Sequence, residues 1–201
     1  MVKNGKDQED KKKTEGYYQK GLVYGQQSDA EGAIECWQKA VELNPEFFDA
    51  WYNLGNAYHM EKGDFNTALK CWKRALELKP DDTDVLYNLA NAYREIREFD
   101  LAIENFKKVV KINPKDHEAW NNMANAHYGK GEHDNAIECW KKALDIKPDK
   151  IETWYNIAVL YYELEKFDLS IEYCKKALEI KPDSSVLQRL LNAATKGKED
   201  T

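Results

Sequence analysis

The sequence predicts an all-α solenoid of antiparallel helix pairs, and three observations carry that expectation. The first is a period. The five prolines, Pro45, Pro80, Pro114, Pro148 and Pro182, fall 35, 34, 34 and 34 residues apart. A fixed spacing in this range marks stacked repeats, each a supersecondary unit that needs its neighbours to bury its apolar face. The second is a row of large residues in step with the prolines: Tyr17, Trp51, Leu86, Trp120 and Trp154. The third is three rows of small residues. Position eight of the repeat holds Gly21, Gly55, Ala90, Ala124 and Ala158; position twenty holds Ala33, Ala68, Ala102, Ala136 and Ser170; position twenty-seven holds Ala40, Ala75, Val109, Ala143 and Ala177. Small side chains let two helices approach closely, while large residues at positions four, eleven and twenty-four fill the space between units. Units of this kind touch only their neighbours, so 201 residues read as one elongated domain without a central core.

In chain order, residues 1–13 come first, with five lysines, three acids and no periodicity. They are expected to be a disordered charged tail. Five repeats follow, at residues 14–47, 48–82, 83–116, 117–150 and 151–184, each reading as two helices. In the third, Leu86, Leu89, Ala90 and Tyr93 follow the i, i+3, i+4, i+7 spacing of one helical face. After a polar turn at Arg97-Glu98, a second face holds Ala102, Ile103, Phe106, Val109 and Val110. Proline cannot continue a helix without losing about 3 kcal/mol, so each one sets a corner into the next repeat. Beyond Pro182, residues 185–196 place Val186, Leu187, Leu190, Leu191 and Ala194 on one face. That stretch reads as a capping helix, N-capped by Asp183 or a neighbouring Ser, with residues 197–201 as a frayed tail.

The run Trp51, Leu54, Gly55, Tyr58, Ala68, Trp72, Ala75, Pro80 resembles the tetratricopeptide repeat, and the resemblance covers residues 14–184. Lys20 replaces Leu in repeat one, His127 replaces Tyr in repeat four, and repeat two carries one extra residue between its helices. The resemblance implies a right-handed superhelical solenoid whose first helices line a concave groove. It also implies a non-catalytic adaptor or scaffold that binds a protein or peptide partner.

Carried onto that groove, position six holds Gln19, Asn53, Asn88, Asn122 and Asn156, and position nine holds Leu22, Asn56, Asn91, Asn125 and Val159. Position five adds Tyr52, Tyr87 and Tyr155, and position twelve adds Arg94. Asparagine is a poor helix former, yet seven of them sit in mid-helix. A side-chain amide both donates and accepts, so these rows are equipped to pair with the backbone of an extended peptide. They are equally equipped to bond within or between repeats, and the sequence leaves both readings open. The clamp that holds a chaperone's C-terminal carboxylate needs Lys at positions two and five and Arg at position six; acids stand at position two, Tyr or Asn at position five, and no Arg at position six.

The remaining expectations are exclusions. Net charge is −6, or −8 once the basic tail is set aside. An acidic body is a poor partner for nucleic acid, whose affinity comes from Lys and Arg on phosphates. No apolar run reaches the ~18 residues of a membrane span, and the start lacks the apolar core of a secretory signal. Cys36, Cys71, Cys139 and Cys174 lie too far apart along a solenoid to bridge and read as reduced thiols of a cytoplasmic protein. No catalytic motif, metal-ligand spacing or cofactor loop is evident. Self-association, through the solenoid ends or through Leu187, Leu190 and Leu191, is the alternative to peptide binding.

Overall fold

The structure, a computed structural model, describes residues 2–200, with side chains from Gln8 onward. Met1 and Thr201, both in the expected tails, lie outside it. Among the described residues there are eleven α-helices and no strand. Contacts group them into two compact units, meeting in sequence at Lys108 and Val109. A solenoid has no shared core to bind distant repeats into one cluster.

The first unit holds α1 (Val2–Gln26), α2 (Ala30–Leu43), α3 (Phe48–Met60), α4 (Phe65–Leu78), α5 (Thr83–Glu95) and most of α6 (Phe99–Ile112). Here α1 pairs with α2 and α3 with α4. The small residues lie at the centre of each pair: Ala33, Ala40, Ala68, Ala75 and Ala90 are all buried. Gly55 shows why nothing larger is used there, since a Cβ would fall 2.3 Å from Nε1 of Trp72. The second unit holds the end of α6 and α7 (His117–Lys130), α8 (His133–Ile146), α9 (Ile151–Glu163), α10 (Phe167–Ile180) and α11 (Ser185–Glu199). Its core repeats the arrangement with Ala124, Ala136, Ala143, Ala158 and Ala177. In repeat five, Ser170 replaces the alanine and donates its hydroxyl to the Ala158 carbonyl at 2.8 Å.

Corners and caps follow from local chemistry. Asn44, Lys79, Lys147 and Lys181, each preceding a proline, are extended, with φ between −134 and −138°. Clash with the proline ring keeps such residues out of the α region. The Trp51, Trp120 and Trp154 indoles then donate to the carbonyls of Pro45, Pro114 and Pro148 at 3.0, 3.0 and 2.7 Å, tying each first helix to the corner before it. Asp29, Asp64, Asp82 and Asp116 N-cap their helices, and Ser184 caps α11.

Every turn inside a pair uses one left-handed residue: Ser28, Gly63, Arg97, Gly131 and Glu165, with φ between 56 and 81°. The left-handed region costs a non-glycine residue about 1–2 kcal/mol, against about 0.5–1 kcal/mol of extra chain entropy lost by glycine. Glu165→Gly is therefore expected to stabilise the fold by about 0.5–1 kcal/mol, read as a raised thermal midpoint; a lowered midpoint would contradict it.

Both chain ends depart from the sequence expectation. Residues expected to be a disordered tail continue α1 back to Val2. Extending an existing helix is far easier than starting one. Lys, Glu and Gln favour it, the Lys13–Glu9 pair at 2.7 Å supports it, and Thr14 anchors it with a bond to the Asp10 carbonyl at 2.8 Å. At the other end α11 runs to Glu199, past the expected stop at residue 196. Gly197 permits this, because a Cβ there would fall 2.6 Å from the Phe167 ring. Lys198 then pairs with Asp168 at 2.5 Å. Leu187 and Ala194 of α11 are buried where that helix packs on α10 and α9.

Candidate peptide-binding face

All eleven residues singled out from the sequence lie on first helices and are half-buried. In the first unit α3 carries Tyr52, Asn53 and Asn56, and α5 carries Tyr87, Asn88, Asn91 and Arg94. In the second unit α7 carries Asn122 and Asn125, and α9 carries Tyr155 and Asn156.

Much of the asparagine pattern serves the chain itself. Asn56 Oδ1 accepts from the Trp72 indole at 3.2 Å, and Asn125 Oδ1 accepts from the Trp140 indole at 3.1 Å. Position nine thus caps the tryptophan at position twenty-four. Position six links neighbouring repeats: Asn53 donates to the Tyr18 hydroxyl at 3.3 Å, and Asn88 donates to Asn56 Oδ1 at 3.0 Å and to the Tyr52 hydroxyl at 3.4 Å. In the second unit Thr153 donates to Asn121 at 3.0 Å. Sequence reasoning had these residues without this wiring. The signal was present in the pairing of rows, since Asn at position nine accompanies Trp at position twenty-four in repeats two and four.

Repeat three breaks the pairing. Its position twenty-four is Phe106, which has no donor, so Asn91 has no indole to cap; among the described residues its oxygen meets only Arg94 Nη2, at a long 3.5 Å. Asn91 and Arg94 line a pocket of about 500 Å³ with Asn56, His59, Asn88 and Glu95. Arg94 Nε is buried there without an acceptor, and His59 lies 3.3 Å from the Glu95 carboxylate. Glu95 is a residue the sequence reading missed. Its only signal was adjacency to position twelve. The pocket offers donors from Asn91 and Arg94 beside an acceptor from Glu95, which is what a peptide backbone requires. Tyr87, on the same helix but outside the pocket lining, is set edge-on to Phe106 at 5.8 Å.

In the second unit the polar contacts cluster near the α7–α8 turn. His127, replacing a packing tyrosine, is buried with Nδ1 2.6 Å from Glu132. Lys130 and then His127 and Asn135 pull the Glu132 carboxyl down to about 2. The Tyr128 hydroxyl donates to Glu163, which raises the phenol above its ordinary value. Tyr155 and Asn156 have no side-chain hydrogen bond among the described residues.

The second helices look different. Lys108, Lys142 and Lys176, which recur at one repeat position, each pair with a glutamate one turn earlier at 2.6–2.8 Å, as on a solvated face. All four cysteines are buried and unbridged; burial pushes the Cys71 and Cys174 thiols up to about 11. Among the described residues no group of three His, Cys, Asp or Glu is placed to hold a metal, and no helix is long and apolar enough to cross a membrane.

Comparison with known proteins agrees with this fold. Tetratricopeptide repeat models match residues 21–61, 128–165 and 151–184, and the TPR domain of cytochrome c-type biogenesis protein H matches residues 44–146. An uncharacterized protein of Methanocaldococcus jannaschii is 47% identical over 49 residues, 24% of this chain; the match spans 57% of that relative's length. A crystal structure of MamA superposes with a TM-score of 0.81 at 28% identity, covering 85% of this chain and 92% of that one. YrrB, described as a TPR protein with an unusual peptide-binding site, gives 0.76 at 24% identity over 90% of each chain, a likeness of fold alone. The chain belongs to the tetratricopeptide repeat family, an all-α solenoid of antiparallel helix pairs that serves as a protein-interaction scaffold and is in general non-catalytic.

Proposed function

We propose that this chain binds an extended segment of a partner protein on its first-helix face, the concave side that the family fold implies, with the α3–α5 pocket as the centre of contact. One observation carries the reading. Asn91 is the position-nine asparagine that no tryptophan occupies, and it stands in a pocket beside Arg94, whose Nε is buried without an acceptor. A peptide carbonyl satisfies both donors, and Glu95 accepts a peptide N–H. A neutral hydrogen bond contributes about 0.5–1.5 kcal/mol net and one to a charged group about 1.5–3 kcal/mol, so a few such contacts give modest affinity with little dependence on ligand side chains.

The four buried thiols suit a reducing cytoplasm. Self-assembly through α11 has less behind it, because Leu187 is buried and Leu190 and Leu191 are half-buried against the chain's own helices. The test is capture from the source cell with wild type beside an Asn91→Ala/Arg94→Ala double variant. Asn88 and Asn122 make a worse pair for this purpose, since Asn88 holds α3 to α5. A partner retained by wild type and lost by a double variant of unchanged helicity is the expected result. Equal retention would remove the site from this pocket.

A further inference from the structure

In repeats two and four, which like repeat one have a tryptophan at position twenty-four, positions twelve and seventeen carry rings that lie by it. In repeat two His59 lies 5.3 Å from Phe65 and 5.5 Å from Trp72. In repeat four Tyr128 lies 6.3 Å from His133 and 5.9 Å from Trp140. In repeat five Tyr162 lies 5.7 Å from Phe167, above Cys174 rather than a tryptophan. Repeat one has neither ring: position twelve is Gly25 and position seventeen is Ala30. The space they would fill is a pocket of about 200 Å³ whose lining includes Gly25, Ala30, Ala33 and Trp37, with Asn53 and Met60 from α3. Repeat one is incomplete in a second way. Position nine is Leu22, so the Trp37 indole N–H is buried without an acceptor, the only one of the six indoles in that state.

We propose that this pocket takes an aromatic side chain from the bound partner segment, which supplies the ring that repeats two and four supply for themselves. The inference rests on the peptide-binding reading and adds a specificity pocket to it. Size agrees: a cavity of roughly 150 Å³ lined by apolar groups takes up benzene. Chemistry agrees too. The lining includes the Trp37 indole, the methyls of Ala30, Ala33 and Ala57, and Met60, which is 75% exposed, with Ser28, Asn53, Asn56 and Glu61 adding polar groups. The site lies one repeat before the α3–α5 pocket, with Asn56 lining both, so a segment anchored at Asn91 and Arg94 needs only to continue along the same helices.

The test has two arms. In the first, p-cresol, the side chain of tyrosine, is titrated into the isotope-labelled chain while the six indole N–H resonances are followed. Saturable movement of the Trp37 resonance, with those of Trp72 and Trp140 still, is expected. Gly25→Tyr should abolish it by filling the pocket; the position tolerates a side chain, since its Cβ would meet only Trp37 Cη2, at 3.8 Å. Ala30→Phe is the second filling variant if Gly25→Tyr folds poorly. In the second arm, short peptides selected on wild type from a random library are expected to share one aromatic residue and to lose about ten-fold or more in affinity on Gly25→Tyr, the scale of an aromatic side chain's burial. An unmoved Trp37 resonance, or peptides that depend on Asn91 and Arg94 but neither share an aromatic residue nor respond to Gly25→Tyr, would overturn the pocket and leave the peptide face standing. Peptides indifferent to Asn91→Ala/Arg94→Ala would overturn the face itself.

Discussion

Trp72→Ala is expected to destabilise the chain by about 3–5 kcal/mol, the usual cost of truncating a buried aromatic side chain. Trp72 is only 1% exposed. It lies against Gly55, which has no side chain to give way, and its ring is covered by His59 at 5.5 Å. Neither neighbour can collapse far into the void, which places this variant toward the costly end of the range. The measurement is urea unfolding followed by helicity. Trp51→Ala is the control, because Trp51 is half-buried and holds one corner bond to Pro45, so its loss should cost less. Equal costs for the two would mean that the second-helix tryptophans are not the keystones of the pairs.

Asn56→Leu should cost about 1–3 kcal/mol, because it leaves a buried indole donor without an acceptor. It gives repeat two the residue that repeat one has naturally at Leu22, above the unpartnered Trp37. The indole's share of the cost should vanish when Trp72 is already phenylalanine, as Phe106 is in repeat three, leaving only the loss of the Asn88 bond to Asn56. A double-mutant cycle over Asn56→Leu and Trp72→Phe therefore reads the coupling directly. Additive effects would show that the 3.2 Å contact contributes nothing to stability.

The helix pairs were legible because their causes are local and periodic. A proline and three small residues recur in each unit, and each acts on its immediate surroundings. The site was legible as positions but not as chemistry. That Asn56 caps Trp72 is a contact between residues 16 apart on different helices. It emerges only when position nine is compared with position twenty-four across repeats. The same comparison turns two apparent irregularities, Leu22 and Phe106, into the orphaned Trp37 and the released Asn91. Chain ends were misread for a related reason. Charge and the lack of periodicity suggest tails, whereas α1 extends from an already packed helix and α11 is held by Gly197 against Phe167, a contact between distant parts of the chain.

The most direct test of the peptide-binding face is site-specific photo-crosslinking to the captured partner. A benzophenone side chain is placed at His59, in the α3–α5 pocket, and separately at Lys107, exposed on second helix α6. Crosslinking from His59 and not from Lys107 is the expected result. Crosslinking from Lys107 alone would put the partner on the second helices and contradict the assignment of the face.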